Sequence, residues 1–352
     1  MKTYILNQAR GDNRHNAAGK AMTDVFKIMD RCGVKVVPGV PKNAGKWIKT
    51  IDYLVLIFYC IFVFGSKDAC IFVYQDNAFK IKLLKRLKFI RRYKIICFVN
   101  DVNSIRGGGL YSDANKAAID RDFSLISTAD VIWAPNEGSK KYMLERGMTN
   151  EIQTVDVWDY LMDEEMGEKC DQLSMAASKH IGKWKIGFAG NLGKSEFLSD
   201  ISEVVNDTVE YHLWGDCDNR EITYKGVLYE GSVSPDVLPL ELAEKCQFGL
   251  VWDGKKSTCI EGGYGEYLKF NNSHKCGCYL ASGIPVIVWR GSGAAYLVEK
   301  EVCGILIDGL QDIAGILNSM SANEYDKIRE SAKRVASGVR TGYYLTNCYR
   351  KL

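Results

Sequence analysis

No apolar run in this 352-residue chain is long enough to cross a bilayer. The longest, LVLIFYCIFVF at 54–64, has eleven residues, against about 20 for a spanning helix. It ends at Gly65 and reads as buried strand or helix in a soluble domain. An apolar signal segment is missing too: the chain starts MKTYILNQARGD, so a cytoplasmic location is expected, with the inner face of the cell membrane open as a contact. Paired CxxC spacing is absent. Twelve cysteines are scattered from Cys32 to Cys348, and the one close pair, Cys276 and Cys278, has a single residue between and no second pair. Zinc is not indicated, and the thiols read as reduced, mostly buried small hydrophobes. A strong charge of one sign is lacking as well, with 46 basic and 43 acidic residues and a net charge of +3, so nucleic acid is not an expected partner. The local exception is KIKLLKRLKFIRRYK at 80–94, which holds no acid. It can be a solvated face, a peripheral contact with an acidic membrane surface, or a neighbour of an anionic substrate.

What the chain does have is alternation. TYILN (3–7), VKVVPG (34–39), ACIFVYQ (69–75), KIICFVND (94–101), DVIWAP (130–135) and EIQTVDVWDYL (151–161) read as strands separated by helical segments, beginning with AAGKAMTDVFKIMDRCG (17–33). A second alternating unit opens at KWKIGFAGNLGKSEFL (183–198) and runs through VEYHLWGD, ITYKGVLYEG, FGLVWDG, IPVIVW and GILIDG. Such alternation predicts parallel sheets with helices on both faces. The expected organisation is an α/β chain of two Rossmann-like domains across a cleft: 1–165, a polar linker at 166–181, 182–337, and a tail 338–352 that packs back onto the first domain. Ligands in such sheets bind beyond the carboxyl ends of the strands.

Neither nucleotide fingerprint is complete. NQARGDNR after the first strand is not GxGxxG, which weighs against a nucleotide-sugar epimerase or dehydrogenase, and GFAGNLGKS at 187–195 is not a full GxxxxGK[ST]. What survives is the physics: small residues let backbone amides turn toward an anion, with Lys194 and Ser195 adding charge and a hydroxyl, although a tight structural turn is the competing reading. EGGYGEYLKFNNSHKCGCYLASG at 261–283 is the densest polar stretch. Lys269, Asn271, Asn272, His274 and Lys275 suit phosphate oxygens, ribose hydroxyls and base edges together, and capping of the next helix explains one or two of them. Asp253 and Glu261 flank that loop as further acceptors. DCD at 216–218 has the letters of a metal-binding DxD, yet Asp216 and Asp218 also look like turn residues, so no metal is expected. In the first half, Asp12, His15 and Lys20 follow the first strand, and Asp101 ends the strand KIICFVND. Asp12, His15 and Asp101 are the candidate general bases, on condition that their loops converge.

Several of these stretches resemble one family: Asn16-Ala17-x-Gly19-Lys20-Ala21-x-x-Asp24, Phe188-Ala189-Gly190-Asn191-Leu192-x-Lys194-Ser195, Gly249 to Gly254, Tyr267-Leu268-Lys269-x-Asn271-Asn272-x-His274-Lys275, and Ala281-x-Gly283-x-Pro285 to Trp289. They look like bacterial glucosyltransferase 3 and β-1,6-galactofuranosyltransferases, over nearly the whole chain. The pattern departs at Ser273, commonly proline, and at Asn100, commonly histidine. The resemblance implies a GT-B glycosyltransferase with a UDP-sugar donor on the C-terminal domain, a saccharide acceptor, free or lipid-linked, on the N-terminal one, no required cofactor, and a homo-oligomer. It puts Gly190, Asn191, Leu192 and Lys194 beside the diphosphate and Tyr267, Lys269, Asn271, Asn272 and Lys275 around the nucleotide. The reaction expected is inverting direct displacement of a hexosyl unit, glucose or galactofuranose. The alternative is a noncatalytic nucleotide-sugar-binding subunit.

Overall fold

The fold was obtained as a computed structural model, which describes residues 1–7, 17–40, 45–74, 78–108, 113–179, 182–217 and 225–352. Asp12 and His15, and Asp218 of the DCD triplet, lie outside the described residues. Short β-branched and aromatic runs, apolar on both sides, can only be buried between two helical layers. They form two six-stranded parallel sheets. The first contains β1 (Thr3–Leu6), β2 (Lys35–Val37), β3 (Ala69–Tyr74), β4 (Lys94–Val99), β5 (Val131–Ala134) and β6 (Glu151–Thr154), in the order β2-β1-β3-β4-β5-β6. The second contains β7 (Trp184–Ala189), β8 (Val209–Trp214), β9 (Val227–Gly231), β10 (Phe248–Val251), β11 (Val286–Trp289) and β12 (Gly304–Ile307), in the order β12-β11-β10-β7-β8-β9. Both are doubly wound, and the strand order reverses beside β1 in one and beside β7 in the other. Those reversals are where such sheets open a crevice.

The helices of the first half are α1 (Ala17–Arg31), α2 (Lys46–Phe58), α3 (Ala78–Arg91), α4 (Asn103–Gly108), α5 (Asp113–Ile126) and α6 (Glu137–Glu145). Those that follow are α7 (Glu164–Ser178), α8 (Leu238–Lys245), α9 (Gly262–Tyr267), α10 (His274–Ala281), α11 (Gly293–Glu301), α12 (Asp312–Ser319), α13 (Ala322–Thr341) and α14 (Tyr343–Arg350). Each sheet is covered on both faces: Ile71, Ile96 and Trp133 point to one side of the first sheet, Phe72, Cys97 and Ile132 to the other.

Three segments differ from the sequence reading. The polar stretch 162–181 contains a full helix, α7, capped by Asp163, whose carboxylate accepts from Met166 N at 2.8 Å. The strand expected over 151–161 stops at Thr154. The run 54–64 is helical, yet Leu54, Phe58 and Phe62 are exposed, because a helix turned by 100° per residue cannot bury an unbroken apolar run against one core.

At the carboxyl end, α13 continues to Thr341 and turns at Gly342, which has a left-handed φ of 85°. A side chain there would also meet Ile28 of α1. The turn lets Leu345 and Cys348 join Ile5, Val25 and Ile28 in the core of the first sheet. Asp159 fixes this contact by accepting from Tyr344 N (3.2 Å) and Leu345 N (2.8 Å). Burial pushes the Asp159 carboxyl up to about 7 against the pull of those two donors.

Candidate functional site

The crevice of the second sheet opens at the ends of β7 and β10. After β7, Gly190 N donates to Trp214 O (3.0 Å), and a Cβ on Gly215 would come within 1.7 Å of the Gly190 carbonyl. Gly215 also holds φ 137°, so glycine is required there on both grounds. Asn191 then caps a single 3-10 turn, Leu192–Lys194, its Oδ1 accepting from Lys194 N at 3.0 Å and its carbonyl from Ser195 Oγ at 3.0 Å. Leu192 N and Gly193 N both donate to Asp216 O, at 2.8 and 3.2 Å. The amides of Leu192 and Gly193 are therefore spent on the carbonyl beyond the neighbouring strand, which favours the tight-turn reading of GFAGNLGKS over the amide cradle. The Leu192 side chain is fully buried in the core of the second sheet, and Lys194 is exposed.

The cation at this crevice comes from α10. Lys275, in its first turn, sets its ammonium 5.1 Å from the centroid of the Phe188 ring. Its stem crosses Gly190 so closely that a Cβ there would lie 2.9 Å from Lys275 Cε. Among the described residues it has no hydrogen-bond or ion-pair partner. Ser273 starts α10 without a side-chain cap. The Lys269 ammonium lies 5.7 Å from the Trp289 ring centroid.

The remaining polar residues of 261–283 close the two domains together. Asn136 caps α6 through Oδ1 to Ser139 N (2.9 Å), and its Nδ2 donates to Phe270 O (3.2 Å), Asn271 O (3.1 Å) and Asn272 Oδ1 (3.0 Å). Asn272 Nδ2 donates to Pro135 O in return. Both ends of the Asn272 amide are thus engaged by the first domain. Asn271 Oδ1 is enclosed without a partner. Tyr267 hydroxyl donates to Asp101 Oδ1 and accepts from Val102 N at 2.8 Å. Burial, and then the Asp101 charge, push the Tyr267 phenol well above its ordinary pKa. The other Asp101 oxygen accepts from Arg106 Nη1 at 2.7 Å. With both oxygens engaged, Asp101 acts here as an interdomain anchor, which argues against its role as a free base.

Beneath Lys275 is a second polar cluster between the domains. Lys20 bonds Asp24 (3.0 Å) and Leu161 O (3.0 Å), and its ammonium lies 4.5 Å from the Tyr160 ring centroid. Burial raises the Asp24 pKa while Lys20 opposes the shift. His274 lies against the Tyr160 ring, tilted by 33° with centroids 4.9 Å apart, and its Nε2 is enclosed and has no partner among the described residues. Burial, then the Lys20 charge, hold its pKa down to about 3. Asp253 accepts from its neighbour Gly254 N (2.9 Å), and Glu261 pairs with Lys256 (3.3 Å). Among the described residues no three His, Cys, Asp or Glu side chains are grouped to hold a metal ion. Two surface cavities, of about 400 and 350 Å³, lie away from all of this, one beside Cys32 and Tyr349 and the other beside Ile316 and Met320.

Asn136 and Tyr160 were not singled out by sequence. The sequence NEGSKK shows Asn136 only as a helix cap, and its contacts with 270–272 join positions 134 to 136 residues apart.

Residues 2–157 match the glucosyltransferase 3-like N-terminal domain and residues 186–352 the glucosyltransferase 3-like C-terminal domain. The chain is 26% identical to β-1,6-galactofuranosyltransferase WbbI of Escherichia coli K12, over 97% of this chain and 95% of that one. It is 28% identical to glucosyltransferase 3 of Streptococcus gordonii, over 80% and 77%. Among solved structures it resembles Anabaena HepE in complex with UDP, with a TM-score of 0.58, 14% identity and full coverage of both chains. The two facing Rossmann-like domains are a GT-B fold, and the chain belongs to a GT-B-like glycosyltransferase family related to glucosyltransferase 3 and WbbI.

Proposed function

We propose that this glycosyltransferase is a member of the glucosyltransferase 3 and β-1,6-galactofuranosyltransferase group itself, and that it moves a hexosyl unit, glucose or galactofuranose, from a UDP-sugar to a saccharide hydroxyl. The acceptor oxygen bonds the anomeric carbon, the bond from that carbon to the diphosphate breaks with inversion, and the acceptor proton passes to a first-domain base. Asp12 and His15 are the remaining candidates for that base, since Asp101 is bonded to Tyr267 and Arg106. UDP leaves with growing negative charge, and a cation placed where that charge develops lowers the barrier.

The observation that carries this reading is Lys275: an ammonium without a counter-ion among the described residues, at the strand-order reversal, beside a glycine that leaves it room. The choice of UDP follows HepE and the family resemblance. The acceptor would belong to a surface polysaccharide or glycoprotein glycan, held by the N-terminal domain of a cytoplasmic homo-oligomer.

The test is transfer itself. The purified chain is incubated with UDP-glucose or UDP-galactofuranose and a panel of saccharide acceptors, and products are read by mass and by the anomeric proton in NMR. A product from one donor with inverted anomeric configuration supports the reading. Nucleotide binding with no transfer from either donor would assign the chain to a noncatalytic subunit.

A further inference from the structure

Helix α2 and the π turn that continues it, Tyr59–Val63, bury only one of their faces. Leu56 and Cys60 enter the core of the first sheet, and Asp52 is paired with Lys80 of α3 at 2.5 Å. On the other face Trp47, Ile51, Leu54, Phe58 and Phe62 recur at helical spacing, and they are 86%, 57%, 58%, 54% and 66% exposed. A helix with water on that side should be polar there. α3 lies alongside, joined by the Tyr53 and Phe79 rings at 4.4 Å and by Arg91 Nε donating to Ile61 O at 2.6 Å. It extends the apolar face with Phe89, 78% exposed, and rims it with exposed Lys82, Lys85, Arg86 and Arg92.

Charge decides what covers this face. Residues 46–94 hold eleven Lys or Arg and three Asp, with no Glu. Of the two described aspartates, Asp52 is buried against Lys80 and Asp68 accepts from Lys2 N (3.0 Å) and Gly65 N (2.9 Å). No carboxylate on the described surface of α2 and α3 is left to balance the rim. A second copy related by a two-fold axis would set this cationic rim against itself. Anionic headgroups over an acyl boundary match both the charge and the aromatic face.

We propose that the exposed face of α2, its π turn and α3 docks peripherally on an anionic lipid surface. Trp47, Leu54, Phe58 and Phe62 enter the headgroup boundary, and Lys82, Lys85 and Arg86 sit over lipid phosphates. No described helix is long and apolar enough to cross a membrane, so the contact lies in the interface. The inference stands apart from the transferase reading.

The test is flotation of the full chain with phosphatidylcholine vesicles, with and without about 30% phosphatidylglycerol. Binding at least about tenfold tighter to the anionic vesicles, weakened by salt, is expected. The combined K82E, K85E and R86E variant should lose roughly a hundredfold in affinity. The combined L54S, F58S and F62S variant should lose binding even at low salt. Both keep the wild-type Tm, because these side chains are exposed, and if the apolar variant misfolds the charge variant still decides. No wild-type binding to anionic vesicles, or unchanged binding in the charge variant, overturns the proposal. An oligomer that dissociates in the apolar variant while the wild type ignores vesicles would assign the face to a second copy instead.

Discussion

Asn272 and Lys275 are three residues apart, in the same polar stretch, and their surroundings have nothing in common. Asn272 has both ends of its amide bonded across the domain boundary, to Asn136 and Pro135. Lys275, in the first turn of α10, lies against the Phe188 ring and the bare backbone of Gly190, with no hydrogen-bond or ion-pair partner among the described residues. A side chain bonded at both ends across a domain boundary is holding the structure. A cation left without a partner is placed for something that arrives. The same distinction separates Tyr267, fully bonded to Asp101 and Val102, from the crevice a few residues on.

Substitutions at these positions should split the two roles. Lys275→Ala is expected to have the largest effect, lowering turnover by roughly 10²–10³-fold in a transfer assay while Tm stays near wild type. Asn272→Ala should do the reverse: it strands Asn136 and the Pro135 carbonyl at a buried boundary, costing about 1–3 kcal/mol in denaturant unfolding, with nucleotide affinity little changed. Tyr267→Phe removes one hydroxyl shared by Asp101 and Val102, and a loss of about 1–2 kcal/mol is expected by the same measurement.

Titration of His274 contributes nothing at neutral pH, and its effect is visible only in acid. The folded chain holds it neutral, with a pKa of about 3, whereas the unfolded chain titrates near 6.5. Below 6.5 the unfolded state binds a proton that the folded state refuses, so this contribution to stability is complete above pH 6.5 and falls as pH drops toward 3. His274→Phe should flatten the fall in Tm between pH 6.5 and 4. An unchanged acid limb would mean that the ring is protonated in the folded chain.

The doubly wound architecture was legible because period-two and period-3.6 apolar patterns report local burial, strand by strand. The polar stretch was legible as a concentration of hydrogen-bonding groups but not in its division of labour. What Asn272 does depends on Asn136, 136 residues away, and no local pattern carries that pairing. The amides of Leu192 and Gly193 could not be assigned for a similar reason: their acceptor is the Asp216 carbonyl just beyond the next strand. The run 54–64 was misjudged for a different one, since hydrophobicity alone does not tell which side of a helix meets the core. Its exposed stripe, Leu54, Phe58 and Phe62, follows from packing against α3 through the opposite face.

The most direct test of the central claim is a calorimetric titration of UDP into the wild type, the Lys275→Ala variant and the Asn272→Ala variant. UDP should bind the wild type, at least about tenfold more weakly to Lys275→Ala, and within about threefold of wild type to Asn272→Ala. Wild-type affinity in Lys275→Ala, or loss in Asn272→Ala alone, would contradict the claim.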